Sequence, residues 1–241
     1  MLLLLSDIHG NLGALTSVLS YVEKRYDIDA CAVLGDLIDY GMHSNEVIRQ
    51  MEKLPYPLLC NIYGNHERAI IYEDYTRFSS DRGRKCAKYT RSQLDAHSKE
   101  YLQKAMEPAG MAEFAWKGWK CLAVHGSLDE VYWGKFDALG ALEKYQKYDY
   151  VFMGHSHIPH FIEKYYSINN PKQRNRKKTV FINPGSVGQP RNLNNRAQFA
   201  LLEMDSGSVF FEKVSYDIAK EQAAYCGQVD NFYKERLECG V

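Results

Sequence analysis

The sequence predicts an α/β protein of two mixed β-sheets flanked by helices, and three observations predict it. Apolar runs of strand length alternate with amphipathic helical stretches through the first half of the chain. After Gly118 the strand-like runs follow one another with few helices between them, the pattern of antiparallel neighbours. Blocks rich in Asp, His and Asn sit just behind several of the strands, at the carboxyl edge where open α/β sheets bind ligands.

Residues 2–6 make the first strand. Leu2, Leu3, Leu4 and Leu5 form a continuous apolar run, too short and lacking the basic flank of a signal peptide, and unbroken as a strand covered on both faces requires. A helix follows over 12–25, with Asn11 as N-cap and Leu12, Leu15, Val18, Leu19 and Val22 on one face. Residues 31–34 make a strand, 45–53 a helix capped by Ser44, and 58–63 a strand running into Gly64. The polar stretch 73–108, with a helix from 81 to about 106, reads as an insertion that could cap a site, or as an ordinary solvated helix. Strands follow at 120–124, 150–153, 160–166, 179–182, 198–204 and 209–214. Residues 1–241 are expected to form one domain, since a chain of 241 residues, 45% hydrophobic, can bury a large core.

Five short blocks carry the chemistry. Ser6-Asp7-Ile8-His9-Gly10 and Gly154-His155-Ser156-His157 each set two metal-binding side chains one residue apart, and in extended backbone such residues project to one side. Between them come Gly35-Asp36-Leu37-Ile38-Asp39, Gly64-Asn65-His66-Glu67 and Val124-His125-Gly126. Carboxylate, imidazole and amide oxygen together suit a hard or borderline divalent cation. The candidate donors Asp7, His9, Asp36, Asn65, His125, His155 and His157 are too many for one tetrahedral site and fit two ions sharing a carboxylate better. Taken singly, an Asp or Asn beside Gly reads as turn chemistry. Taken together and in order, the blocks read as a metal site.

In that order the blocks resemble the calcineurin-like metallophosphoesterase superfamily, over residues 7 to about 191, and its small phosphodiesterase-like branch above the others. The resemblance implies a four-layer αββα sandwich and two divalent ions, manganese first, with iron or zinc as alternatives. It implies one ion held by Asp7, His9, Asp36 and His157 and the other by Asp36, Asn65, His125 and His155, with Asp36 bridging. Two such cations polarise phosphoryl oxygens and lower the pKa of a bound water from about 16 to about 7, so that a metal-bound hydroxide can attack phosphorus in line. The departing alkoxide needs a proton, for which His66 is the expected donor, oriented by Asp39. The implied activity is hydrolysis of a small or nucleotide-derived phosphoester, as a phosphodiesterase or phosphatase. Eukaryotic-type serine/threonine protein phosphatases carry Arg after the second Asp of GDxxD, where this chain has Tyr40, which weighs against that reading. Dinucleoside polyphosphate hydrolysis stays open, as does a non-catalytic scaffold, although His66 and every candidate donor are present.

Other features are less specific. The loop 183–191 carries two glycines that would let main-chain amides face an anion, with a tight structural turn as the alternative. Arg191 at its end is a candidate phosphate clamp, and His160, behind Pro159, a second candidate substrate contact. His43 and His97 read as structural. The basic loop 172–178, with Lys172, Arg174, Arg176, Lys177 and Lys178, reads as a hairpin tip ahead of a phosphate-binding finger. Tyr101, Trp116, Trp119, Tyr132 and Trp133 read as core ahead of a nucleobase pocket or dimer contact. With 30 basic and 30 acidic residues there is no global case for nucleic acid or an anionic membrane, and no stretch approaches the ~20 apolar residues of a membrane span. Six cysteines without C-x-x-C spacing suit a reducing cytoplasm. The partner expected is a small anionic phosphoester, and the oligomeric state is open.

Overall fold

A computed structural model describes residues 1–172 and 176–241, so the expectation for Arg174 lies outside the described residues. The elements are β1 (Leu2–Leu5), α1 (Leu12–Glu23), β2 (Ala30–Val33), α2 (Ser44–Met51), β3 (Leu58–Asn61), α3 (Asn65–Tyr72), α4 (Asp81–Gln93), α5 (Ala96–Ala105), β4 (Met111–Trp116), β5 (Trp119–Val124), β6 (Tyr150–Met153), β7 (His160–Tyr165), β8 (Lys178–Asn183), β9 (Ala197–Glu203), β10 (Ser208–Val214), α6 (Ile218–Ala223) and α7 (Phe232–Cys239), with a 3-10 turn at Glu143–Tyr145.

Strand β1 lies in the middle of a sheet ordered β10-β9-β1-β2-β3, parallel to β2 and antiparallel to β9. The second sheet, β4-β5-β6-β8-β7, is parallel at its centre and antiparallel at both edges. Successive side chains point to opposite faces of a strand. Leu3, Leu5, Cys31 and Val33 therefore meet Leu15, Val47 and Leu102 from the helices, while Leu2, Leu4, Ala30 and Ala32 meet Phe152 and Ile182 between the sheets. The outer face of the second sheet is covered by the chain between β5 and β6, where Leu142, Tyr145 and Tyr148 pack on Leu122, Val151 and Phe181. That outer layer is irregular chain around the 3-10 turn, thinner than the helical layer opposite.

Several local expectations change. The helix expected over 81–106 is broken: Leu94 is extended (φ −61°, ψ 121°), and Asp95 caps α5 by accepting from the Ser98 amide at 2.7 Å. Ser44 is the first helical residue of α2 instead of its cap, and its Oγ accepts from the Asp39 amide at 3.2 Å. Asn11 does cap α1, its Oδ1 accepting from the Ala14 amide at 3.0 Å. Strand β4 and helices α3, α6 and α7 went unread in the sequence. All six cysteines are free, and Cys31, Cys60, Cys86 and Cys121 are buried. Among the described residues no helix is long and apolar enough to cross a membrane.

The C-terminal helices are tied back to the first ones by a buried carboxylate. Glu221 of α6 accepts from the Gly13 amide in the first turn of α1 at 2.8 Å, an amide with no partner inside its own helix, and pairs with His43 at 3.0 Å. The Glu221 bond raises the His43 pKa against the opposing effect of burial. A raised pKa in the folded state means that the pair contributes fully below the ordinary His value near 6.5 and that its contribution fades as pH climbs through the raised value. His43→Gln is therefore expected to cost about 1 kcal/mol at pH 6, measured by urea denaturation, and distinctly less at pH 9. An equal cost at both pH values would show that the charge of His43 plays no part.

Candidate metal centre

Each candidate donor stands just past a strand that has a parallel neighbour: Asp7 and His9 after β1, Asp36 after β2, Asn65 after β3 as the first residue of α3, His125 after β5, and His155 with His157 after β6. The carboxyl edges of both sheets thus face one place. The paired donors do not project together through the strand pleat, as the spacing had suggested. Asp7, His9, His155 and His157 have left-handed backbone, with φ of +52°, +49°, +62° and +59°, and so does Asp36 at +55°. It is alternate left-handed residues in tight loops that turn these side chains to one side. Non-glycine residues are uncommon there and cost on the order of 1 kcal/mol or more each. Main-chain bonds hold them in place: Asp7 N to Gly35 O at 3.0 Å, His9 N to Asp36 O at 2.9 Å, and Gly188 N to Asp7 O at 3.1 Å.

The donors converge in two groups sharing Asp36, one of Asp7, His9, Asp36 and His157, the other of Asp36, His125 and His155. Asn65 joins the second, its Oδ1 lying 3.1 Å from His125 Nε2 and 2.9 Å from His155 Nδ1. Asp36 Oδ2 is 3.6 Å from His9 Nε2 and 3.3 Å from His125 Nε2. The outer nitrogens are oriented by carbonyls, His9 Nδ1 by Ile38 O at 3.2 Å, His125 Nδ1 by Leu34 O at 2.6 Å and His157 Nδ1 by Gln189 O at 2.5 Å. Donating Nδ1–H to a carbonyl leaves Nε2 with its lone pair turned inward, the arrangement of metal-ligating histidines.

This donor set fits cations. His9 Nε2 and His157 Nε2 face each other at 3.2 Å, two lone pairs that repel unless a positive charge lies between or beside them. Asp7 Oδ1 is buried and accepts no hydrogen bond, although His157 Nε2 is 3.1 Å away. Burial pushes the pKa of His9 and His157 well down and that of His155 to about 3, so these imidazoles are neutral and ready to ligate. Burial opposes a proton on His125 too, but Asp36 and Asp7 outweigh it and raise that imidazole to about 9. Burial pushes Asp7 up, whereas for Asp36 the imidazoles of His125 and His66 overcome burial and hold it well below the usual carboxylate range.

His66 stands beside these groups. Its amide donates to Asp36 Oδ1 at 2.9 Å and its Nδ1 pairs with Asp39 Oδ2 at 2.6 Å. Burial disfavours its protonation, yet Asp36 and Asp39 outweigh burial and raise its pKa. A cavity of about 200 Å³ opens above, lined by Asp36, Asn65, His66, His155, His157 and Arg191, with Phe78, Ser79, Ser80 and Gly83 from the insertion and Trp133 opposite. Arg191 Nε is buried there without a hydrogen-bond partner. His160 lies elsewhere: it stacks on Phe136 at 5.4 Å and lines a separate cavity. The 183–191 loop spends the amides of Val187 and Gly188 on Ser6 O and Asp7 O and that of Gln189 on its own Ser186 Oγ, the structural turn of the two readings, and so braces the Asp7 loop.

Two contributors escaped the sequence reading. Glu67, the last residue of its block, is fully buried and accepts from the amides of Gly64, Asp36, Leu37 and Ile38 at 2.8 to 3.2 Å. Four amides around one buried carboxylate could have been suspected only from its place behind Asn65-His66. Tyr40 lies between His9 and His66, with ring centroids 4.6 and 4.5 Å away, and stacks on Tyr233 of α7 at 4.6 Å.

Comparison with known proteins places the chain in a family. A family model described as the calcineurin-like phosphoesterase superfamily domain matches residues 1–207. The uncharacterized protein MJ0912 of Methanocaldococcus jannaschii is 28% identical over 226 residues, covering 91% of this chain and 89% of its own. The crystal structure of a metallophosphoesterase from Sphaerobacter thermophilus superposes with a TM-score of 0.76 at 29% identity, over 100% of this chain and 99% of that one. That of the hypothetical protein PH1004 from Pyrococcus horikoshii OT3 gives 0.82 at 20% identity, over 100% and 99%, and shares the fold.

Asp36→Asn is expected to abolish Mn²⁺ uptake, measured by elemental analysis after gel filtration, while the parent protein releases protons as it loads because His125 must give one up. Retention of Mn²⁺ by the variant would remove Asp36 from the centre. A Cβ on Gly64 would stand 2.1 Å from Asp36 Oδ1, so Gly64→Ala should weaken Mn²⁺ binding by about tenfold or more in calorimetric titration.

Proposed function

Since the chain belongs to the calcineurin-like phosphoesterase superfamily, and so is a metal-dependent phosphoester hydrolase, we propose that it cleaves a small or nucleotide-derived phosphoester over two divalent ions, manganese by preference. The observation that carries this reading is the meeting, in one cavity, of a donor set divided around Asp36 and a carboxylate-held imidazole, His66. Asp7, His9, Asp36 and His157 would hold one ion, and Asp36, Asn65, His125 and His155 the other. When bound, such ions polarise phosphoryl oxygens and acidify a water. Arg191 would take a further phosphoryl oxygen with its free Nε–H. His66, with Nδ1–H committed to Asp39, would give its Nε2 proton to the leaving oxygen. Phe78, Ser79, Ser80 and Gly83 narrow the approach, which favours a small substrate over a folded phosphoprotein. The four buried, unpaired cysteines support a reducing compartment, the cytoplasm.

The test is turnover by Mn²⁺-loaded protein on bis(4-nitrophenyl) phosphate, 4-nitrophenyl phosphate and a phosphopeptide. The diester is expected to be the best of the three, and Arg191→Gln should raise KM about tenfold on it. His66→Gln should lose ~10²- to 10⁴-fold in kcat on esters whose alcohol leaves poorly. Preference for the phosphopeptide would turn the reading to a protein phosphatase, and absence of turnover with metal verified would turn it to a scaffold.

A further inference from the structure

The carboxylate behind His66 is itself held, and by the insertion. Asp39 is completely buried. One of its oxygens, Oδ2, meets His66 Nδ1 at 2.6 Å, and the other, Oδ1, accepts the hydroxyl proton of Thr90 at 2.6 Å. Among the described residues no Lys or Arg pairs with it. Thr90 sits in the interior of α4 and is also buried. A threonine inside a helix ordinarily turns its hydroxyl back onto the carbonyl of the preceding turn; this one is turned outward onto Asp39. The buried face of α4 is Gly83, Cys86, Ala87 and Thr90, small residues at helical spacing that let the helix come close to the loop carrying Asp39. That loop is strained, with Asp39 at φ +74° and Tyr40 at +63°, so its main chain alone is a poor guarantee of where the carboxylate points.

We infer that Thr90 is a positioning residue for proton delivery: its hydroxyl fixes the rotation of the Asp39 carboxylate, which in turn fixes the ring of His66. The inference rests on the reading of His66 as the acid. In the reaction the ester P–O bond breaks as a new P–O bond forms to the oxygen of the attacking water. The leaving oxygen keeps the bonding pair and takes the His66 Nε2 proton, while the proton shed by the water passes to solvent. A misaligned His66 harms this only when the leaving oxygen needs that proton.

The experiment therefore compares Thr90→Val, which keeps the shape and removes the donor, with Thr90→Ser, which keeps the donor, in Mn²⁺-loaded protein on matched phenyl and 4-nitrophenyl esters. Phenolate leaves poorly and needs protonation; 4-nitrophenolate leaves well without it. Thr90→Val is expected to lower kcat about tenfold on the phenyl ester and less than about twofold on the 4-nitrophenyl ester, with KM unchanged on both, and Thr90→Ser to recover most of the loss. In metal-free protein carrying ¹⁵N-histidine, the His66 Nδ1–H resonance should shift and exchange faster in Thr90→Val and stay in place in Thr90→Ser. Equal losses on the two esters, no loss on either, or an unmoved His66 resonance would overturn the inference. His66→Gln separates the two layers: if it discriminates between the esters and Thr90→Val does not, Thr90 has no such role, whereas if His66→Gln does not discriminate, the acid has been misassigned.

Discussion

The arrangement depends on one buried carboxylate that is neither a candidate ligand nor an acid. Glu67 gathers the amides of Asp36, Leu37 and Ile38 from the loop after β2 and that of Gly64 from the loop after β3. Two loops from neighbouring strands are thereby locked at one separation. At that separation no side chain fits on residue 64, because the Asp36 carboxylate occupies the space a Cβ would need. Asp36 in turn reaches the imidazoles of His9 and His125 and accepts from the His66 amide. A carboxylate buried away from water is costly unless its oxygens are fully engaged, and four amides supply that engagement. Loss of Glu67 would leave those amides bare and let the loops part.

Around this anchor the molecule concentrates charge and strain where a folded chain ordinarily avoids both. Asp7, Asp36, Asp39 and Glu67 are buried within one small region, with the imidazoles of His9, His66, His125 and His157 among them. Left-handed backbone at seven polar or aromatic positions, Asp7, His9, Asp36, Asp39, Tyr40, His155 and His157, adds to the cost. The sheets beneath offset it. Leu2, Leu4, Leu34, Phe152 and Ile182 form a dry layer between them, and Leu3, Leu5, Val33 and Phe199 a second under the helices.

What was legible in the chain had a local cause. The unbroken leucines of β1, the Asn11 cap and the ordered Asp, His and Asn blocks each announce themselves within a few residues. What was missed depends on partners far away. The helix break at Leu94 had a local mark, Asp95 followed three residues on by Ser98, but a polar helical pattern on either side obscured it. Thr90 looks like any helical threonine until Asp39, 51 residues earlier, is beside it. The i, i+2 spacing of Asp7 with His9 and of His155 with His157 pointed to convergence, though by way of the pleat; the left-handed turns that bring it about depend on contacts such as those from Ser186 and Gly188, 179 or more positions away. Helix α6 owes its place to Glu221 meeting Gly13 and His43, a relation no window of sequence contains.

The brace formed by residues 186–191 has a bearing on how the protein matures during synthesis. Ser6 and Asp7 are synthesised 179 or more positions ahead of the groups that steady their carbonyls, the amides of Val187 and Gly188 and the hydroxyl of Ser186. Gln189, whose carbonyl aims His157, arrives at the same late stage. Contacts of such wide sequence separation close slowly, after nearer ones. A nascent chain that has not yet reached this segment carries all seven candidate donors and still lacks the clamp that steadies the Asp7 loop and aims His157, so assembly of the candidate centre waits on chain made after its last donor.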